Sequence, residues 1–89
     1  GVIMSLNMNE LTAHIESIIS KEDYRELGTK SVVCVMKLKN GFEIVGHSAP
    51  FHVNDYVYTK GRTCAREDAI NKLIDLFIFH KFMEENPIN

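Results

Sequence analysis

The sequence has no tryptophan, two prolines, two cysteines and no apolar run long enough for a membrane span. Each scarcity excludes something. A spanning helix needs about 18 consecutive apolar residues, so no membrane partner is expected. A disulfide framework at this size needs more than two cysteines. Cys34 and Cys64 sit in apolar, structured-looking contexts and read as reduced, buried thiols, which points to a cytoplasmic setting. Charge of one sign is lacking too. A formal net charge of −2 gives no general attraction for a polyanion, which argues against nucleic acid as a partner. The opening Gly1-Val2-Ile3-Met4-Ser5 lacks the basic segment and long apolar core of a signal peptide. Gly1 reads as a tag-cleavage scar, and residues 1–6 are expected to be disordered or tag-derived.

What is present is ordinary globular material: 45% apolar and 25% charged residues in a chain of 89. This reads as a single domain over 1–89, with the thin stability margin of a small core. Asn7-Met8-Asn9-Glu10 is a helix start, with Asn7 as the cap and Glu10 placed to complete a capping box. Leu11, Ile15, Ile18 and Ile19 give the apolar stripe, and the helix is expected to end near Ser20–Glu22. Residues 22–30 read as a polar connection. Val32-Val33-Cys34-Val35-Met36-Lys37-Leu38 and Phe42-Glu43-Ile44-Val45-Gly46-His47 read as two strands around Asn40-Gly41. That dipeptide predicts a two-residue type I′ hairpin turn. Cys34, Met36 and Leu38 share one face of the first strand; Phe42, Ile44 and Gly46 share one face of the second.

Tyr56-Val57-Tyr58-Thr59 is either a third strand or the first turn of a long helix capped by Asn54, with Val53 stapled against Tyr58. Val57, Gly61, Ala65, Ala69 and Leu73 recur every four residues, and the small ones would let a helix lie close to another backbone. Residues from about Thr63 to Glu85 are helical on either reading, and Asn86-Pro87 ends them. The fold class is α+β: an N-terminal helix, a β-hairpin with a possible third strand, and a long C-terminal helix packed on the sheet. The segment 73–83 is apolar nearly all round, more than a small sheet can cover. Phe77, Phe79, Phe82 and Met83 are therefore expected to form a homo-oligomer interface.

No catalytic arrangement is visible. His14, His47, His52 and His80 form no His-x-x-x-His and no Cys-x-x-Cys pairing, so no metal and no cofactor are expected. Adjacent Glu67 and Asp68 point apart on a helix. The reading is a binding protein, not an enzyme. Its most suggestive cluster is basic: Arg62 and Arg66, four apart on one helical face, with Lys72 further on and Lys30 entering from the strand start. Two guanidiniums so placed can grip a phosphate or carboxylate. The alternative is structural pairing with Glu67, Asp68 or Glu26.

Tyr24-Arg25-Glu26-Leu27-Gly28-Thr29-Lys30-Ser31-Val32-Val33-Cys34, Leu38-Lys39-Asn40-Gly41-Phe42-Glu43-Ile44-Val45-Gly46-His47-Ser48-Ala49 and Gly61-Arg62-Thr63-Cys64-Ala65-Arg66-Glu67-Asp68-Ala69-Ile70-Asn71-Lys72-Leu73 resemble blocks of a family of small tailed-phage and prophage proteins. The matches run in order from about Tyr24 to Leu76. Departures occur at Ile74, where relatives tend to have Trp, and at Phe77-Ile78-Phe79. The resemblance implies a phage accessory protein in the cytoplasm of an infected bacterial host. Such proteins often act by binding, so the expected role is counter-defence or host takeover. The expected partner is a small anionic nucleotide-like signal or a host defence protein. Gly61 to Ala69, with an upstream helix and hairpin, also resembles the α-β-β-β-α double-stranded-RNA-binding domain, which places lysines at the helix start where this chain has Thr63-Cys64-Ala65. A purely structural phage assembly protein is a further alternative.

Overall fold

The computed structural model describes residues 7–88; the expectation for residues 1–6 lies outside them. Helix α1 (Met8–Ile18) leads directly into strand β1 (Ile19–Leu27), followed by β2 (Ser31–Leu38), β3 (Glu43–Ser48), a single 3-10 turn (Val53–Asp55) and helix α2 (Tyr58–Glu85). The sheet is antiparallel throughout, in the order β1-β2-β3. The fold is α+β, as expected, and its element order is α-β-β-β-α.

Asn7 caps α1 as its sequence suggests, its side-chain oxygen accepting from the amides of Asn9 (2.9 Å) and Glu10 (3.2 Å). The helix ends at Ile18, earlier than expected, and residues 22–30 are not a polar connection. Most of them belong to β1, an edge strand paired with β2 from Ile19 opposite Leu38, through a register shift before Lys21, to Leu27 opposite Ser31. Its sequence hides this because an edge strand with one solvated face carries charge at most positions, here Lys21, Glu22, Asp23, Arg25 and Glu26. Such charges also discourage pairing with a further strand.

The β2–β3 connection differs from expectation as well. The Leu38 amide donates to the Phe42 carbonyl (2.8 Å), and the Gly41 amide donates to the Leu38 carbonyl (2.9 Å). Lys39-Asn40-Gly41 is therefore a three-residue loop. Among the described residues only glycines have positive φ, Gly41 at +92°, so Asn40 cannot take the left-handed position that type I′ demands. Asn40 Oδ1 instead accepts from the Phe42 amide (3.0 Å), which favours the longer loop with glycine at its last position.

The core lies on one sheet face. Val32, Cys34, Met36 and Leu38 of β2 are buried, joined by Ile15 of α1 and by Ala65, Ala69, Ile70 and Leu73 of α2. The opposite face carries Val33, Val35 and Val45 among charged neighbours and is only half covered, as a single antiparallel sheet permits. The long-helix reading of the 56–59 region holds, with Val57 rather than Asn54 at the cap and Thr63 inside the helix, bonded to the Thr59 carbonyl. The small residues at 61, 65 and 69 are buried as their spacing predicts. Gly61 packs against Val32 of β2, and opposite Ala65 and Ala69 is Gly46 of β3. A Cβ there would overlap the Ala65 carbonyl oxygen and stand 2.6 Å from the Ala69 nitrogen, so helix and strand meet backbone to backbone. Cys64 corrects a further expectation. It neighbours buried Ala65 but points away from the sheet, because consecutive helical side chains diverge by about 100°, and it is exposed.

Two glycine substitutions separate packing from conformation. Gly46→Ala should destabilise the fold by about 3 kcal/mol or more, because two backbones must part. Gly41→Ala meets open space and should cost only about 1 kcal/mol, the price of a positive φ. Urea melts of the two variants with equal midpoints would contradict the close contact.

Candidate functional site

Helix α2 carries most of the nominated side chains, and the fold distributes them to different tasks. Arg66 leaves α2 on the side facing α1 and β1. Its Nη1 and Nη2 donate to both Glu16 carboxylate oxygens (2.8 and 2.6 Å), and its Nε donates to Glu22 Oε1 (2.7 Å). One guanidinium thus ties α2 to α1 and to the edge strand. The partners are not Glu67, Asp68 or Glu26. Glu67 follows Arg66 directly and points elsewhere, and only the β1 strand brings Glu22 within reach.

Lys72 and Asp68, one helical turn apart, are paired (3.1 Å) and both face the free edge of β3. The His47 amide donates to Asp68 Oδ2 (2.8 Å), and Lys72 Nζ donates to the Val45 carbonyl (2.8 Å). These backbone groups would otherwise offer a template to a fourth strand. Lys30 Nζ donates to the Phe51 carbonyl (2.6 Å), holding the β3–α2 connection against the β1–β2 turn. Three of the four nominated cations therefore have structural partners, and Lys30 and Lys72 do not meet the arginines.

Arg62 is different. No carboxylate lies within ion-pair distance of it among the described residues; its guanidinium rests on the Tyr24 ring, 4.3 Å from the centroid, with Tyr58 at 5.8 Å. The two arginines, Tyr24, Thr59 and Thr63 line an open cleft of about 240 Å³. Tyr24 is anchored by its hydroxyl, which donates to Glu22 Oε1 (2.7 Å). Tyr56 donates to Glu26 nearby, so all three tyrosines gather at the start of α2. Tyr24, Thr59, Glu16 and Glu22 were not singled out from the sequence. The pairing of Tyr24 with Cys34 across β1 and β2 is what puts Tyr24 on the core face beside α2, and nothing in the local sequence of residues 22–30 signals that pairing.

The charge states follow from these bonds. The hydrogen bonds from Arg66 hold the Glu16 and Glu22 carboxyls below their ordinary value of 4.5 against the opposing effect of burial, with Tyr24 adding to the shift at Glu22. Burial, then the bond to Glu22, pushes the Tyr24 hydroxyl up, so it stays a neutral donor. The bond from the His47 amide, then Lys72, keeps Asp68 ionised. Burial likewise raises the Cys34 thiol. Among the described residues no three His, Cys, Asp or Glu side chains converge as a metal site. His80 pairs with Glu84 (2.7 Å) along α2, and His14 stands edge-on to Phe77.

Residues 11–81 match the phage protein (N4 Gp49/phage Sf6 gene 66) family. The chain belongs to that family. The match spans every strand and most of both helices of this phage protein, and so includes Arg62, Arg66 and both carboxylates that hold Arg66. No curated protein and no solved structure matches the chain. No helix among the described residues is long and apolar enough to cross a membrane.

The residues expected at an oligomer interface are also divided. Phe77 packs against the core cluster and His14, and Met83 is half-buried, whereas Phe79 and Phe82 are exposed, together with Leu76 and Phe42.

The Arg66 clamp gives an acid-side signature. Carboxyls depressed in the folded state contribute stability that is full above about pH 4.5 and is lost as pH falls through their folded values. Arg66→Ala should lower stability at neutral pH by about 1–3 kcal/mol, since the charge-assisted bonds are half-exposed. It should also flatten the decline below about pH 4.5. Parallel stability–pH curves for wild type and variant would contradict the clamp.

Proposed function

We propose that this phage protein acts in the host cytoplasm as an accessory binding protein without turnover, in counter-defence or host takeover, by capturing a small anionic, nucleotide-like signal in the Tyr24–Arg62 cleft. The observation that carries this reading is Arg62. It is the one nominated cation whose head group has neither an ion-pair nor a hydrogen-bond partner among the described residues, and it is held over an aromatic ring. A guanidinium fixed in this way has two free edges for phosphate oxygens. Thr59 and Thr63 line the same cleft; the Thr59 hydroxyl adds a neutral donor, whereas the Thr63 hydroxyl donates to the Thr59 carbonyl, and Tyr24 and Tyr58 provide aromatic surface for a base. Arg66 supports the cleft from behind and brings little attraction of its own, since two carboxylates already balance it.

A second reading, a double-stranded-RNA-binding module, is favoured by one observation: the α-β-β-β-α order with both helices contributing to one core on one sheet face. It is weakened by the start of α2, where Lys60 and Arg62 are the only cations before Arg66, and by the acidic net charge.

Calorimetric titration with mononucleotides, cyclic dinucleotides and a duplex RNA separates the two. The expected result is saturable binding of one nucleotide class, recovered unchanged, and weakened at least about tenfold by Arg62→Ala without loss of fold. Sustained consumption of any nucleotide would end the binding-only reading, and full affinity in Arg62→Ala would remove the cleft. Duplex RNA as the sole binder, with affinity falling steeply with salt, would establish the second reading instead. A stoichiometric host protein co-purifying in place of any ligand would replace capture by masking.

A further inference from the structure

The Tyr24–Arg62 cleft holds two guanidiniums, yet its charge is balanced. Arg66 lines the cleft beside Arg62, and Glu16 and Glu22 stand behind Arg66, 2.6 and 2.7 Å from its nitrogens. The bonds from Arg66 keep both carboxyls ionised, below their ordinary 4.5. Glu22 also feels the charge of Arg62, although the two are not in ion-pair contact. Two positive groups, Arg62 and Arg66, and two negative groups, Glu16 and Glu22, therefore sum to zero. No further cation is at hand. Lys60 lines a separate hollow with Cys64, and Lys30 and Lys72 are committed to the Phe51 and Val45 carbonyls.

We infer that this balance makes the cleft select a phosphodiester, which carries one negative charge, over a phosphomonoester, which carries two near neutral pH; the inference rests on the proposed capture of a nucleotide-like anion. One charge is what Arg62 can match, through one bidentate contact with two phosphate oxygens. A dianion brings a second charge that no free cation meets. It must either draw Arg66 from Glu16 and Glu22, which breaks the tie of α2 to α1 and β1, or remain unmatched in front of two carboxylates. The cost of taking charge out of water makes the unmatched position unfavourable. Neutral donors do not make up the difference. The Tyr24 hydroxyl is committed to Glu22 and the Thr63 hydroxyl to the Thr59 carbonyl, which leaves the Thr59 hydroxyl. The ligand class is thus narrowed from nucleotides at large to those whose phosphate is esterified twice.

Acidity separates the two kinds of phosphate. The second proton of a phosphomonoester has a pKa of about 6, so its singly charged fraction rises from about 3% at pH 7.5 to about 75% at pH 5.5. A diester is singly charged at both. The cleft faces Glu16 of α1, Glu22 and Tyr24 of β1, and Tyr58, Arg62 and Arg66 of α2. Glu26, bonded to Tyr56, is next along β1, and Lys60 is next along α2. No histidine lines the cleft. Beside the arginines, the carboxyls of Glu16 and Glu22 are lowered and the hydroxyl of Tyr24 is raised, both away from this window. The change of pH therefore acts on the charge of the ligand.

Calorimetric titration of the full chain with the four common 5′-nucleoside monophosphates, and with the phosphate methyl ester of each, tests the inference. Each pair shares base and sugar and differs by one charge. At pH 7.5 at least one ester should bind about fivefold or more tighter than its parent. At pH 5.5 that parent should gain at least about threefold while the ester stays nearly constant. Glu16→Gln removes one negative charge and keeps an oxygen for Arg66, so it should raise the affinity of the parent more than that of the ester. If Glu16→Gln does not fold, the pH comparison decides alone. A parent that binds as tightly as its ester at pH 7.5, or gains nothing on acidification, overturns the inference and leaves capture in the cleft standing. So does a folded Glu16→Gln chain with an unchanged ratio. No binding by any of these probes at either pH overturns the inference and, with the cyclic dinucleotides silent as well, the capture reading beneath it.

Discussion

Where β3 crosses α2, the two backbones touch with no side chain between them. Gly46 supplies the missing Cβ on the strand, and Ala65 and Ala69 supply the small surface on the helix. A contact of this kind tolerates almost no sliding, because a shift along α2 brings Asp68, Lys72 or Leu73 where a glycine-to-alanine fit is required. The register of the helix on the sheet is therefore set at one point. From it follow the positions of Asp68 and Lys72 on the free edge of β3, of Arg66 between Glu16 and Glu22, and of Arg62 over Tyr24. At the far end it determines how much of α2 runs beyond the sheet.

The polar side chains of α2 then do three kinds of work that look alike in the sequence. Lys72 neutralises a sheet edge, Arg66 joins three elements, and Arg62 remains without an ion-pair partner. All are basic residues on one helix, a few positions apart. What separates them is the neighbour each meets: a strand carbonyl and an aspartate, two carboxylates, or an aromatic ring. The net charge of −2 hides this, because most of the basic groups near α2 are matched locally. What sets Arg62 apart is therefore its surroundings and not any general positive field.

Much of the fold was legible in the sequence. The Asn7 cap, the alternation of β2, the every-fourth small residues of α2 and the Asn-Pro stop all act locally, through backbone hydrogen bonds and side-chain size. The β1 strand was not legible, since an exposed edge strand has neither an apolar run nor clean alternation, and its pairing with β2 is set by residues a dozen or so positions away. The same omission hid half of the site: without β1 there is no Tyr24 beneath Arg62 and no Glu22 against Arg66. The hairpin loop shows a finer version of the problem. Asn40-Gly41 is compatible with two loop lengths, and the choice rests on whether Asn40 takes positive φ or bonds the Phe42 amide.

The account stands or falls on α2 and the sheet being one cooperative unit locked at Gly46. Native-state hydrogen exchange resolved by residue measures this directly. The amides from Ala65 to Leu73 should exchange only through the same global opening that releases β2, with matching free energies and matching denaturant dependence. The amides of the last turns of α2, beyond the sheet, should open at lower energy in dilute protein. If the middle of α2 instead exchanges through a separate, lower-energy opening while β2 stays protected, the helix is not fixed on the strand and the placement of every site residue on it loses its basis.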